Sequence, residues 1–205
     1  IDQAVRQSRR CFEKLISPAG SRQDNRDAKD LIGPLLAALR AHALAQEAVY
    51  PLHHVLAPVS RYFLEPDLRD SWYAYSVKGD TSKTGLHLIK RAAGGHRDHY
   101  LYIPETWDGA SHLPLVTALH GGSQDGRTFI WQWLREARSR QFILLAPTSA
   151  GRTWSFHDRV DADAIFSMAA ELRSRYPIDT DRMLLTGFSD GAIYSLTCGL
   201  MPDSP

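Results

Sequence analysis

The stretch "RMLLTGFSDGAIYSL", Arg182 to Leu196, decides the fold of this sequence. Its first part is apolar like a buried strand, and its last part spaces apolar residues as a helix does. The glycines between the two parts indicate a tight turn. The segment therefore predicts a strand, a sharp turn and a helix, with Ser189 at the apex of the turn.

The turn fits the pattern G-x-S-x-G, formed by Gly187, Ser189 and Gly191. A sharp strand-to-helix turn holds such a serine in a strained conformation, with its hydroxyl exposed above the sheet. Residues two positions to either side must be small, because larger side chains would collide across the turn. The N-terminus of the following helix favours negative charge, and the N–H of Asp190 would donate to it. The pattern predicts a nucleophilic serine; an ordinary glycine-rich turn is the alternative.

A second glycine-rich segment, "LHGGSQDG", follows an earlier apolar run. A loop after a neighbouring strand can bring a second backbone N–H to the same reacting oxygen. Gly122 is our candidate for this donor, with Ser123 beside it. His120 is either a catalytic base or a residue whose ring braces the loop through hydrogen bonds, and we favour the brace.

The rest of the chain has two textures. Residues 1–70 space apolar residues three and four apart, which predicts helices. Between residues 72 and 103, short aromatic and β-branched segments predict strands in hairpins: "WYAYSVKG", "GLHLIKRA" and "HYLYIP". From residue 113, apolar strands alternate with helices, which is typical of a parallel α/β sheet. We therefore predict a helical segment over 1–70 and the N-terminal part of an α/β domain over 71–205.

The order of three segments resembles the α/β-hydrolase superfamily, and in particular esterases similar to polyhydroxybutyrate depolymerases, feruloyl esterases and phospholipase/carboxylesterase-type enzymes. The segments are "LHGGSQDG", "FILLAPTSAGRTW" and "DADAIFSMAAELRSRYPIDTDRMLLTGFSDGA", and the resemblance covers roughly residues 85 to 200. In those families an early helical aspartate and a Y-x-I-D-x-x-R segment precede the nucleophile strand. The matching residues here are Asp163, Tyr176, Ile178, Asp179 and Arg182.

This resemblance implies a serine esterase that works through an acyl-enzyme, without a metal or an organic cofactor. Ser189 would be the nucleophile, and the N–H groups of Gly122 and Asp190 would form the oxyanion hole. Two positions depart from the family pattern: Ala192 stands where a further glycine is usual, and Gly122 stands where depolymerase-like esterases often have cysteine. A serine peptidase and a non-catalytic scaffold for binding or assembly are the alternatives.

In this fold the acid and the histidine of the triad follow the serine along the chain, so we expect both beyond residue 205. The strand before Ser189 is normally central, so we expect further strands there too. His157 is an upstream candidate for the base, and a candidate pocket residue together with Trp154 and Ser123.

Two histidine clusters resemble metal sites. His96 and His99 flank Asp98, where a polar hairpin turn is the favoured interpretation, and the pair His53 and His54 has adjacent side chains that do not face one ligand on a helix. The two cysteines are too few and too distant in sequence for a zinc site or a disulfide framework. We predict no metal.

Charge and hydropathy limit the partners. The formal net charge of +1 gives no reason to expect a nucleic-acid partner. No apolar run approaches the eighteen or so residues that a membrane span needs. The expected partner is a small-molecule or polymeric ester. The N-terminal helices could pack on the sheet, form a lid or join two copies in a homo-oligomer, and packing is favoured.

Overall fold

The computed structural model describes residues 6, 9, 28–69, 83–90 and 97–204. The chain divides into two compact units, Ile1–Ser60 and Arg61–Pro205. The boundary predicted between residues 70 and 71 adjoins residues outside the described ranges and stays a prediction. The strand predicted around residues 72–79 lies outside them as well.

In the first unit, helix α1 spans Ala28–Val49 and a 3₁₀ helix spans Tyr50–His54. The helix predicted in this part of the chain is confirmed. Its buried residues include Ala38, Ala41, Ala43 and Ala45, whereas Leu35 is 41% exposed. Leu35 and Leu39 are therefore less buried than these alanines.

The second unit contains a five-stranded mixed sheet in the order β1-β2-β4-β3-β5. Strands β1 and β2 form an antiparallel hairpin, as predicted, and β2 is antiparallel to β4. Strand β3 is parallel to both β4 and β5, which confirms the predicted parallel part. The strands are β1 Gly85–Ile89, β2 His99–Ile103, β3 Leu113–Leu119, β4 Ile143–Ala146 and β5 Ile178–Gly187; the helices are α2 Ala57–Tyr62, α3 Gly126–Arg140, α4 Val160–Arg175 and α5 Asp190–Gly199, with a 3₁₀ turn at Pro66–Leu68.

The core lies between the sheet and its helices. One face of the strands, including Leu115 and Leu145, packs against Met168 and Leu172 of α4. Alternate strand residues point to the opposite face, where α3 contacts β2, β3 and β4. Because both faces of the sheet are covered, all four residues of β4 are buried. This burial on both sides explains why the strand is a continuous apolar run in the sequence.

Strand β5 begins four residues earlier than predicted. Ile178 pairs with Leu113, but the register shifts before the regular pairing that starts at Met183. The intervening segment is polar, and the Asp179 carboxylate accepts hydrogen bonds from Arg182 at 2.6 Å and from the N–H of Asp181 at 3.0 Å. This polar irregularity hides the start of the strand from a pattern of apolar residues.

Among the described residues, no helix combines the length and the apolar character needed to cross a membrane.

Candidate active site

Ser189 occupies the turn between β5 and α5 with φ 52° and ψ −120°. A positive φ is unfavourable for a residue with a side chain and costs about 1–3 kcal/mol, so the surrounding structure must enforce it. The Phe188 N–H donates to Leu119 O at 3.0 Å, and the Gly191 N–H donates to Phe188 O at 2.9 Å. The first bond ties the turn to the end of β3, the second closes the turn, and Ser189 is exposed at its apex.

The two glycines of the turn have no room for a side chain. A Cβ atom on Gly187 would lie 2.5 Å from the carbonyl carbon of Gly191, and one on Gly191 would lie 2.3 Å from Leu119 O. The obstructing atoms belong to the backbone and cannot rotate away. The predicted need for small residues around the serine is confirmed on steric grounds.

The hydrogen bonds that shape the loop after β3 leave the N–H of Gly122 available as a donor. The Gly121 N–H donates to Gln124 Oε1 at 3.1 Å, and the Ser123 N–H donates to Arg152 O at 2.7 Å. The N–H groups of Gly122 and Asp190 donate to no other group in the described part of the chain. The loop and the turn meet here, because a Cβ on Gly122 would lie 2.5 Å from Asp190 Oδ2.

His120 is fully buried beneath this loop and both of its ring nitrogens are engaged. Nε2 accepts the Ser149 N–H at 3.1 Å, and Nδ1 lies 2.7 Å from Gly121 O, which requires the proton on Nδ1. Burial lowers the pKa of the His120 imidazole from its ordinary value of 6.5, and the hydrogen bond to Gly121 opposes this shift. A neutral ring with two committed nitrogens fits the bracing interpretation.

The loop between β4 and α4 is held by a carboxylate that sequence reasoning missed. Asp161 is 3% exposed and accepts the N–H of Ala150 at 2.7 Å and that of Ser155 at 2.8 Å. Asp163, the family-matched aspartate, is exposed and pairs with Arg159 at 3.1 Å. The available signal was helical register, since Asp161 lies four residues before the buried Ile165.

The three candidate pocket residues occupy different environments. Trp154 is buried in the core, where its Nε1–H donates to His120 O at 2.7 Å and its ring stacks on Tyr194. Ser123 and His157 are exposed. None of the described histidines hydrogen-bonds Ser189 Oγ, whose polar neighbour is Asp190 Oδ1 at 3.5 Å.

The histidine clusters do not form metal sites in the described ranges, which contain no group of three residues suited to hold an ion. His99 is buried, and its Nδ1 lies 3.1 Å from Arg97 O, while His96 lies outside those ranges. The rings of His53 and His54 are 3.8 Å apart, and His53 Nδ1 lies 2.5 Å from Tyr50 O.

The mixed sheet and the helices packed on it form an α/β fold. No protein-family model matches the chain. Over 114 residues it is 30% identical to the bifunctional acetylxylan esterase/xylanase XynS20E of Neocallimastix patriciarum, a match that covers 54% of this chain and 17% of that protein. The chain thus spans less than one fifth of this relative's length.

Solved structures similar to the chain are also esterases. An acetyl xylan esterase from Aspergillus awamori is 21% identical with a TM-score of 0.44, covering 52% of this chain and 43% of that one. A CE1 ferulic acid esterase from Anaeromyces mucronatus is 18% identical with a TM-score of 0.41, covering 62% and 58%. A thermostable esterase is 23% identical with a TM-score of 0.45, covering 58% and 38%.

Proposed function

We propose that this chain carries the nucleophile and the oxyanion hole of a serine esterase that cleaves carboxylic esters through an acyl-enzyme. The observation that carries the proposal is the strained conformation of Ser189, at φ 52°, where the turn meets the loop of Gly122. Strain of this kind at an exposed polar residue marks sites where a side chain is held for chemistry. The esterase relative supports the same reaction class.

In this mechanism Ser189 Oγ attacks the ester carbonyl carbon while a general base takes the hydroxyl proton. The carbonyl oxygen becomes negative and accepts hydrogen bonds from the N–H groups of Gly122 and Asp190, each worth about 3 kcal/mol in the transition state. The protonated base then gives its proton to the departing alcohol, leaving an acyl-serine. Water, deprotonated by the same base, releases the acid and restores the hydroxyl.

We further propose that the base and its acid partner follow residue 205 in the natural protein. The support is geometric, since no described histidine hydrogen-bonds Ser189 and both nitrogens of His120 are engaged. The substrate is a small or polymeric ester, and the relative's name makes acetylated xylan the first polymer to test. The expected lack of a nucleic-acid partner and of a cofactor, and a contact between copies through the N-terminal helices, stay predictions.

The test is labelling of the natural protein with a fluorophosphonate, together with hydrolysis of p-nitrophenyl acetate. Ser189→Ala should abolish labelling and lower kcat by at least about 10³-fold, because the attacking oxygen is gone. Ser167→Ala removes an exposed hydroxyl on α4 and serves as the matched control, with both activities retained.

Other outcomes would point to the alternatives. Continued labelling of Ser189→Ala would show that the nucleophile lies elsewhere. A wild-type protein that neither reacts nor hydrolyses would favour the non-catalytic scaffold. Faster cleavage of a peptide amide than of the matched ester would favour a serine peptidase.

A further inference from the structure

Three separate segments of the chain meet at the side chain of Thr153. Its hydroxyl donates to Asp190 Oδ2 at 2.7 Å. The same carboxylate oxygen fills the space beside Gly122, 2.5 Å from where a Cβ would stand, and Thr153 Oγ1 lies 3.9 Å from that point. One carboxylate therefore lies between the loop after β3 and the turn after β5, and Thr153 holds it there.

The backbone around Thr153 is itself fixed. We call residues 149–155 the clamp loop. Its two ends are held by the buried Asp161 carboxylate, through the N–H groups of Ala150 and Ser155. Arg152 O accepts the N–H of Ser123 at 2.7 Å. The clamp loop is thus anchored on one side to α4 and on the other to the loop that carries Gly122.

We propose that Thr153 is a positioning residue for the oxyanion hole. Its hydroxyl holds the Asp190 carboxylate against Gly122, and this contact sets the spacing between the Gly122 and Asp190 N–H groups. A hydrogen bond to an ionised carboxylate is stronger than one between neutral groups, and an oxyanion hole works only when its donors are held where charge develops. The inference rests on the proposed esterase function.

Two substitutions at Thr153 separate the hydroxyl from the shape of the side chain. Thr153→Val keeps the volume and removes the donor, whereas Thr153→Ser keeps the donor. In the natural protein, the Val variant should lower kcat for p-nitrophenyl acetate about tenfold or more with KM changed less than twofold, because the lost contact acts on the transition state. The Ser variant should stay within about threefold of wild type.

Thr197→Val is the matched control, since that hydroxyl lies on the same helix as Asp190 and bonds only to Ile193 O, at 3.2 Å. A fall in kcat of equal size in Thr197→Val, or none in Thr153→Val, would overturn the proposal. So would a Thr153→Ser variant as slow as Thr153→Val, because the hydroxyl would then not be the cause.

A readout independent of catalysis is amide hydrogen exchange at residues 121–124 and 188–192. Thr153→Val should speed exchange in both segments at least about threefold, and Thr153→Ser and Thr197→Val should not. Unchanged exchange in Thr153→Val would overturn the positioning role, whether or not the protein hydrolyses esters. If Thr153→Val speeds exchange but the wild-type protein hydrolyses no ester, the proposed function is overturned and the positioning contact stands.

Discussion

Replacement of His120 by phenylalanine removes both ring nitrogens and keeps an aromatic ring beside Trp154. The buried Ser149 N–H loses its acceptor, and Gly121 O loses its donor. A buried polar group without a partner costs about 1–3 kcal/mol, so the free energy of unfolding should fall by about 2–6 kcal/mol. His120→Gln can still offer an oxygen to Ser149, and His120→Asn can still offer a nitrogen to Gly121, so each should lose about half as much.

The assay is urea unfolding of the natural protein followed by tryptophan fluorescence, combined with the rate of fluorophosphonate labelling in the absence of urea. Labelling should stay within about tenfold of wild type in His120→Gln, because the residue braces the loop and does not transfer the proton. His112→Phe, at an exposed position, is the control and should change stability by less than about 0.5 kcal/mol.

The opposite pattern would refute this reasoning. If His120→Phe and His120→Gln unfold at the wild-type urea concentration while labelling falls about 10⁴-fold, then His120 takes the serine proton. The tautomer and the hydrogen bonds described for its ring would in that case not be those of the working enzyme.

Three further outcomes are expected. Gly191→Ala should cost about 3 kcal/mol or more in urea unfolding, because its Cβ would lie 2.3 Å from a backbone oxygen of β3; Gly199→Ala, with open space around it, is the control, and equal effects would contradict the steric argument. Because burial lowers the folded-state pKa of His120 below 6.5, the unfolded chain binds the extra proton, so this contribution to stability is complete above pH 6.5 and is lost as pH falls towards the folded pKa, by up to about 1.4 kcal/mol per unit. The free energy of unfolding, measured at pH 7, 6 and 5, should depend less on pH in His120→Gln than in wild type. Identical slopes in the two proteins would exclude His120 as the source of the pH dependence. Finally, the Asp190 carboxylate lies 3.5 Å from Ser189 Oγ. It would repel the free carboxylate of a succinyl ester bound at Ser189, by about 2–3 kcal/mol before solvent screening if the two charges are about 6 Å apart. Acetyl esters should therefore exceed succinyl esters of the same alcohol about tenfold in kcat/KM, and Asp190→Asn should narrow this ratio; an unchanged ratio would contradict the charge effect.

Local patterns were sufficient for most of the fold. The apolar runs of β3 and β4 stand out because both faces of those strands are buried, and the β1–β2 hairpin follows from alternating short strands. The position of β4 between β2 and β3 is different. It depends on which surfaces fit together in three dimensions, so no short stretch of sequence encodes it.

The site divides in the same way. The turn around Ser189 and the glycines of the loop after β3 are local features, and their spacing predicted them. The role of Thr153 comes from its contact with the distant Asp190. The role of Asp161 comes from its contact with the clamp loop, which has no regular sequence pattern. Asp161 differs from Asp163 only in its position relative to the buried face of α4, and Trp154 gave no signal that it would support His120 rather than face a ligand.

The clamp loop also bears on the order of events during folding. Its hydrogen bonds to the rest of the site join residues 29, 34 and 37 positions apart. They join the loop after β4 to the loops after β3 and β5, so they form only once these strands have paired. The loop that carries Gly122 can therefore reach its final shape only after β4 has docked and the clamp loop has closed over it. A refolding chain should bury its core before it regains a reactive serine, so tryptophan fluorescence should recover ahead of fluorophosphonate labelling.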